Sequence, residues 1–388
     1  MTDNLMEVPA LLDIQGVEGL SRISYWQYIR FNKCILSGLY PRNVRVDRRF
    51  TSTETYGIRQ LSGIVFHKIL EEMPAEISKN AKGDKSDLEK YCFDKIREVE
   101  KKISLETGDV RYEGALDGGE GSKIIKSIKS VLDVRIKNHQ AESGDISRYP
   151  EKMFYSKDGT VCGKPDLVVK KGDWIKVLDY KLVDLERITS DQLSDYKNQI
   201  HLYSYLLKDN FGIYPKEAEI IGLSGKKLEI ELNEQNSDEV YLRLKVYLDQ
   251  VNRVVERNQH SFRNLCSPGD DPCSYCQAKP LCPALRESNV NVNLPKKSHF
   301  VVGYQHGQFR YSRRGGAIIS IKPMFRTFGF SSELITLSKI QKERFPSLTN
   351  SPGQLIVATN FIANQGDVAA MAGFDSRIVA IEESNLHE

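Results

Sequence analysis

Four groups of chemically capable residues follow one another along this chain. They are Cys34, then Gly163-Lys164-Pro165-Asp166, then Asp179-Tyr180-Lys181, then Cys273, Cys276 and Cys282. Between the two aspartates lies Lys170-Lys171-Gly172-Asp173, a tight-turn signal. The run Val161 to Val169 before it and the run Trp174 to Lys181 after it read as the two strands of a hairpin. Such a hairpin brings Asp166 and Asp179 to within about one residue of register. Asp179 and Lys181, two apart, share one strand face. Paired carboxylates repel when bare, which raises one pKa, and they hold a hard divalent cation through oxygen. With Mg²⁺ or Mn²⁺ at such a pair, a bound water becomes a nucleophile and a phosphate oxygen is polarised. Lys181 can orient or deprotonate that water, or stabilise developing charge. The backbone carbonyl of Tyr180 is a further ligand candidate. A bare Asp-x-Lys is more often a solvated surface pair; the Gly-Lys-Pro-Asp across the hairpin changes that balance.

The cysteines make a second constellation. Cys273-Ser274-Tyr275-Cys276 places two thiols within one turn, and Cys282 follows shortly after. Four-cysteine ligation suits Zn²⁺ or a 4Fe–4S cluster, and spacing by itself does not separate them. Pro283 directly after Cys282 matches the Cys-Pro of ferredoxins. Cys34 and Cys266 compete for the fourth position; Cys92 and Cys162 belong to no visible set.

Elements must position these groups. Residues 17–40 are predicted to be one helix, capped by Ser21 or Ser24, with Cys34 near its end. A second helix over 57–75 carries His67 in its middle, with Glu71 and Glu72 one turn on. Residues 84–105 and 121–140 alternate charged and apolar positions and read as helices, with a loop between them. Glu151 to Tyr155 is predicted to be a short strand. A helix over 189–208 carries Gln199 and Tyr203, whose i, i+4 spacing puts both on one face. Residues 218–223 and 227–232 form a hairpin-like pair. An amphipathic helix over 236–258 has the stripe Val240, Leu244, Tyr247, Leu248, Val251, Val254 and Val255.

With His67 before the acidic pair and Gln199-x-x-x-Tyr203 after it, the chain resembles the PD-(D/E)xK nuclease superfamily, in particular its RecB-like branch. Pro165-Asp166 and Asp179-Tyr180-Lys181 are the two halves of the name motif. The resemblance implies that His67, Asp166, Asp179 and the Tyr180 carbonyl hold Mg²⁺ or Mn²⁺. It also implies that Gln199 and Tyr203 orient Lys181 or the DNA backbone. The order of one cysteine before the core and three after it is similar to the iron–sulfur members of that branch. Those are the AddB nuclease domain and the CRISPR-associated adaptation exonuclease. On that resemblance Cys34, Cys273, Cys276 and Cys282 ligate a structural 4Fe–4S cluster. Ile35 stands where Pro usually follows the first cysteine. Implied partners are DNA, single-stranded or with free ends, and an integrase or helicase acting in repair, recombination or antiviral defence. The other reading is a cluster-bearing DNA-binding scaffold without catalysis.

The rest of the chain sets bounds. A net charge of +3 does not announce a nucleic-acid binder. No signal peptide and no apolar run of membrane-spanning length is visible, so a cytoplasmic location is expected and a disulfide framework is not. Residues 289–295 read as a linker. Beyond them, basic residues from Lys296 to Arg326 interleave with Phe300, Tyr304, Phe309, Tyr311, Phe325, Phe328 and Phe330. That pattern suits either single-stranded nucleic acid or a small β unit with an aromatic core. The expected fold is α/β. A mixed sheet of about four to five strands is flanked by helices over residues 1–288, with an iron–sulfur region. A small β-rich unit follows over 296–388.

Overall fold

The computed structural model describes residues 13–40, 42–46, 57–73, 85–107, 112–139, 146–259, 261–274, 276–286, 294, 299–313, 315–326, 333–341, 345, 347–363, 369–372 and 376–381. The linker expected at 289–295 lies almost wholly outside them, as do Lys296, Lys297, Phe328 and Phe330. Strand β1 (Gly16–Val17) pairs antiparallel with β2 (Val44–Arg45). Helices α1 (Tyr25–Lys33) and α2 (Ile35–Leu39) lie between them. The single helix expected over 17–40 is therefore two. Cys34 sits at the break in extended backbone (φ −165°), ending α1 and starting α2. Ser24 begins α1 through a capping box with Gln27.

Helices α3 (Ile58–Glu72), α4 (Lys85–Thr107) and α5 (Gly119–His139) come next. The strand expected over Glu151 to Tyr155 is confined to its last two residues, and a second one precedes it. These are β3 (Ser147–Pro150) and β4 (Phe154–Tyr155), with Glu151 between them in the left-handed region (φ 49°). The run 161–169 is interrupted, at Lys164-Pro165-Asp166, between β5 (Cys162–Gly163) and β6 (Leu167–Lys171). Gly172, at φ 56°, turns β6 into β7 (Trp174–Tyr180). Helix α6 (Ser190–Phe211) leads to β8 (Glu217–Ile221) and β9 (Lys227–Glu229), then to α7 (Glu234–Arg257).

The five-stranded sheet has the order β3-β6-β7-β8-β9 and is mixed, since β7 and β8 run parallel and the other pairs antiparallel. Both its faces are covered, which explains the near-continuous apolar strands. Leu167, Val169, Leu178 and Tyr180 meet the core of α3, α4 and α5. Val168, Ile175, Val177, Ala218 and Ile220 face the core of α6 and α7. The α7 stripe delivers buried Val240, Leu244, Leu248, Val251 and Val255 to that second core, at about 1.5–3 kcal/mol for each large side chain removed from water.

Short helix α8 (Asp270–Ser274) carries Cys273, and Cys276 and Cys282 lie between it and α9 (Pro283–Arg286). Beyond them stand β10 (His299–Gln305), β11 (Arg310–Tyr311), β12 (Ala317–Arg326), β13 (Ile335–Ile340), β14 (Leu355–Phe361), β15 (Ala369–Met371) and β16 (Arg377–Ile381). They form a second sheet in the order β15-β13-β12-β10-β14-β16, with β11 on β12. Val301, Ile319, Ile321, Leu337 and Ile356 build its own core, whereas Phe300, Val302, Leu355 and Val357 join the core of the first sheet. Strands β10 and β14 are thus buried on both faces. Phe300 and Phe309 are buried, Tyr304 and Phe325 pack partly buried against the first core, and Tyr311 is exposed, so the described aromatics of this stretch serve mainly as core. Among the described residues no helix is long and apolar enough to cross a membrane.

Candidate active site

The β6–β7 register sets Leu167 opposite Leu178, so Asp166 and Asp179 are the next pair outward. Asp166 accepts a hydrogen bond from the Tyr180 N–H. The Tyr180 ring is buried edge-on against Phe66, 6.5 Å between centroids. Asp179 and Lys181 point toward α6. Lys181 Nζ lies 2.7 Å from Asp179 Oδ2 and donates to Gln199 Oε1 at 2.9 Å. Gln199 Nε2 donates to the Tyr203 hydroxyl (2.8 Å), and that hydroxyl donates to the Lys164 carbonyl (3.1 Å). One relay thus joins Lys181 to the strand break that carries Asp166. A capping box of Thr189 and Gln192 starts α6, and Gly212 in the left-handed region (φ 82°) ends it. At Gly163 a Cβ would stand 2.9 Å from Leu206 and Tyr203 side-chain atoms, so β5 crosses α6 only because this residue is glycine.

Helix α3 brings His67 to the other side of Asp166. Its Nδ1 is 3.2 Å from Asp166 Oδ1 and 3.3 Å from Glu151 Oε1. Glu151 also pairs with Lys164. The ligand atoms of His67, Glu151 and Asp166 all lie within 4.8 Å of one another, a donor set that could hold a divalent cation. Burial opposes a charge on His67, yet its hydrogen bonds to Asp166 and Glu151 outweigh it and push its pKa up to about 10. Burial likewise opposes the Glu151 charge, and His67 and Lys164 overcome it, holding that carboxyl at about 2. Asp179 goes the other way. Burial pushes it up to about 6, against the pull of Lys181 and with the help of Asp166. Lys181 is raised despite its burial, because Asp179 and Asp166 favour its charge.

The structure therefore brings together His67, Asp166, Asp179, Lys181, Gln199 and Tyr203. Asp179 stands with Lys181 and not within the tight group of His67, Glu151 and Asp166. Glu151 is the residue that sequence reading missed. Its sole signal is Pro150 ending an alternating run just before it. Glu71 and Glu72 pair with Lys68, and Glu72 also with Lys95, so neither joins the site.

The cysteines gather at the far end of α1. Cys34 Sγ contacts the Leu265 carbonyl (3.8 Å) and accepts from the Ser267 N–H (3.5 Å). The Cys266 and Cys282 thiols are in contact, which lowers the Cys266 pKa and raises that of Cys282. Cys34 lies within electrostatic range of Cys266, Cys273 and Cys276. Burial pushes the Cys276 thiol up to about 12. Lys279, 1% exposed, has its amine among them. Burial holds that amine down at about 8, against the opposing pull of Cys276 and Cys273. The same amine donates to Asn360 of the second sheet at 3.2 Å.

A family model described as the PD-(D/E)XK nuclease superfamily matches residues 22–283. No curated protein matches the chain. Among solved structures, the chain is similar to a candidate exonuclease from Eubacterium rectale. The two share 13% identity at a TM-score of 0.34, over 61% of this chain and 82% of that one. It is also similar to the protein SSO0001, with 14% identity at a TM-score of 0.26 over 58% of this chain and 95% of that one.

Proposed function

The chain belongs to the PD-(D/E)XK nuclease superfamily, and from that premise we propose that it hydrolyses DNA phosphodiester bonds at the site on β6 and β7. The observation that carries this reading is the convergence of His67, Glu151 and Asp166 within 4.8 Å, next to the Asp179–Lys181 pair. A divalent cation bound there supplies the charge that polarises a phosphate oxygen and acidifies a water. His67, Glu151, Asp166 and Asp179 are the residues that would hold it. Lys181, kept protonated by Asp179 and Asp166, aims its N–H groups at the attacking water or the developing oxyanion. Gln199 and Tyr203 fix the direction of that amine through their hydrogen bonds. Substrates with single strands or free ends, and exonucleolytic cleavage, complete the proposal.

The finer assignment is to the RecB-like branch, with a structural 4Fe–4S cluster on Cys34, Cys273, Cys276 and Cys282. Two features support it. Cys273 and Cys276 each lie within electrostatic range of both Cys34 and Cys282. The order of one cysteine before the core and three after it is that of the iron–sulfur members of the branch. Cys266 remains the rival fourth ligand. In this reading residues 1–288 are the catalytic unit and 296–388 a docked β-rich unit. An integrase or helicase would be the partner, in repair, recombination or CRISPR-type defence.

The test is cleavage of end-labelled single- and double-stranded DNA with Mn²⁺, Mg²⁺ or EDTA. Asp179→Ala and Lys181→Ala should abolish metal-dependent cleavage while the protein keeps its visible absorbance. Intact wild-type protein that binds DNA but cuts none of it with either metal would instead establish the non-catalytic scaffold.

A further inference from the structure

Trp26 is 45% exposed on α1, an unusual place for so large an apolar side chain. Its location is specific. The Lys181 amine lies 5.5 Å from the Trp26 ring centroid and 5.0 Å from that of Tyr196, so two aromatic rings bracket it. Trp26 is held edge-on by Tyr25 at 6.4 Å, and the Tyr25 hydroxyl donates to Asp195 on α6 at 3.2 Å. The capping box at Ser24 fixes where α1 starts and hence where this ring points. The wall next to Lys181 thus presents a partly exposed indole ring.

We propose that Trp26 is a nucleobase platform. It stacks the base next to the scissile phosphate and so makes the site take a strand whose bases are unpaired. The inference rests on the nuclease reading above and names the substrate form for it. The chemistry follows from position. A phosphate held beside Lys181 carries a nucleoside one sugar away, and that base must lie against something. A base paired inside a duplex has both faces covered by its neighbours, so only an unpaired base or a terminal pair can lie flat on an indole. Aromatic stacking of this kind tolerates every base, so the subsite selects strand form and not sequence. Trp26 positions the strand and takes no part in proton transfer.

The protein has two tryptophans, Trp26 and Trp174. Trp174 sits at the far end of β7, bonded to Glu217 at 3.1 Å, and Trp174→Phe leaves Trp26 as the reporter. The full chain carrying that change is titrated, in EDTA, with a dye-labelled single-stranded oligonucleotide. Dye anisotropy reports binding and indole fluorescence reports stacking. Quenching that saturates together with the anisotropy is expected. Trp26→Ala should weaken single-strand binding by about tenfold, raise KM more than it lowers kcat, and leave duplex binding unchanged. Trp26→Phe should restore most of the loss. An anisotropy rise with indole fluorescence unchanged overturns the proposal, as does a Trp26→Ala protein that binds single strands as wild type does, or an anisotropy that never rises. None of these outcomes depends on cleavage, so the platform and the nuclease reading fail separately.

Discussion

Asp166 and Glu151 favour a proton on His67, which a metal ion bound there would displace. The His67 pKa of about 10 reflects two carboxylates sharing Nδ1, at 3.2 and 3.3 Å. At pH 7 roughly one molecule in a thousand would have the free ring that a cation needs, which costs metal affinity about 4 kcal/mol. The side chain is 32% exposed, and solvent screening trims this to about a hundredfold in affinity. The sign is definite. A raised pKa stabilises the metal-free fold below the free imidazole value of about 6.5, and that share is lost as pH rises through about 10. Cation affinity must therefore rise across the same window, while the metal-free protein grows less stable. Calorimetric titration of Mn²⁺ near about pH 7.5, in two buffers of different protonation enthalpy, counts the released protons. Close to one is expected in wild type and close to none in His67→Gln. Glu151, held at about 2, is already ionised there, and Asp179, at about 6, adds little. Wild-type protein that binds Mn²⁺ without releasing a proton would refute a protonated His67 as the ligand.

Other outcomes follow from the same contacts. Tyr203→Phe removes the hydroxyl between Gln199 and the Lys164 carbonyl. It should cost about 1–3 kcal/mol in denaturant titration and lower kcat more than it changes KM. Gly163→Ala forces a Cβ to 2.9 Å from Tyr203 and Leu206 atoms; about 1–3 kcal/mol of stability should go with it, read from the thermal midpoint. Leu244→Ala, at a fully buried position on α7, should cost about 2–5 kcal/mol in the same assay with the kcat of the folded protein retained. Cys34→Ser and Cys266→Ser separate the two candidates for the fourth ligand. Loss of visible absorbance and bound iron is expected only in Cys34→Ser, and loss only in Cys266→Ser would reverse the assignment.

Much of the site was legible because strand period and turn chemistry act locally. Gly172 had to turn the chain, so Asp166 and Asp179 had to face each other. The i, i+4 rule likewise put Gln199 and Tyr203 on one side of α6. Glu151 escaped because its place depends on a left-handed residue between two short strands, an arrangement set by tertiary contacts with His67 and Lys164 and not by any periodic pattern. The division of the first helix at Cys34 was hidden for a similar reason. Phe31-Asn32-Lys33-Cys34-Ile35-Leu36 reads as continuous helix, and the break is made by what Cys34 meets near Leu265 and Ser267. The β-rich region was recognisable by composition. Its fusion to the first sheet was not, since two-sided burial of β10 and β14 leaves the same apolar run as a one-sided core in a short strand.

The meeting of Cys34 with the 265–282 region also sets a schedule for biogenesis. About 240 residues separate Cys34 from Cys273, and at about 5–20 residues per second that interval lasts at least about ten seconds. Until the later segment leaves the ribosome, α1 has no anchor at its C-terminal end. The C-terminal end of the helix that carries Trp26 is thus secured after the catalytic hairpin has been made. A chain that stops before residue 265 keeps the Tyr25–Asp195 tie to α6 but leaves Cys34 without its contacts.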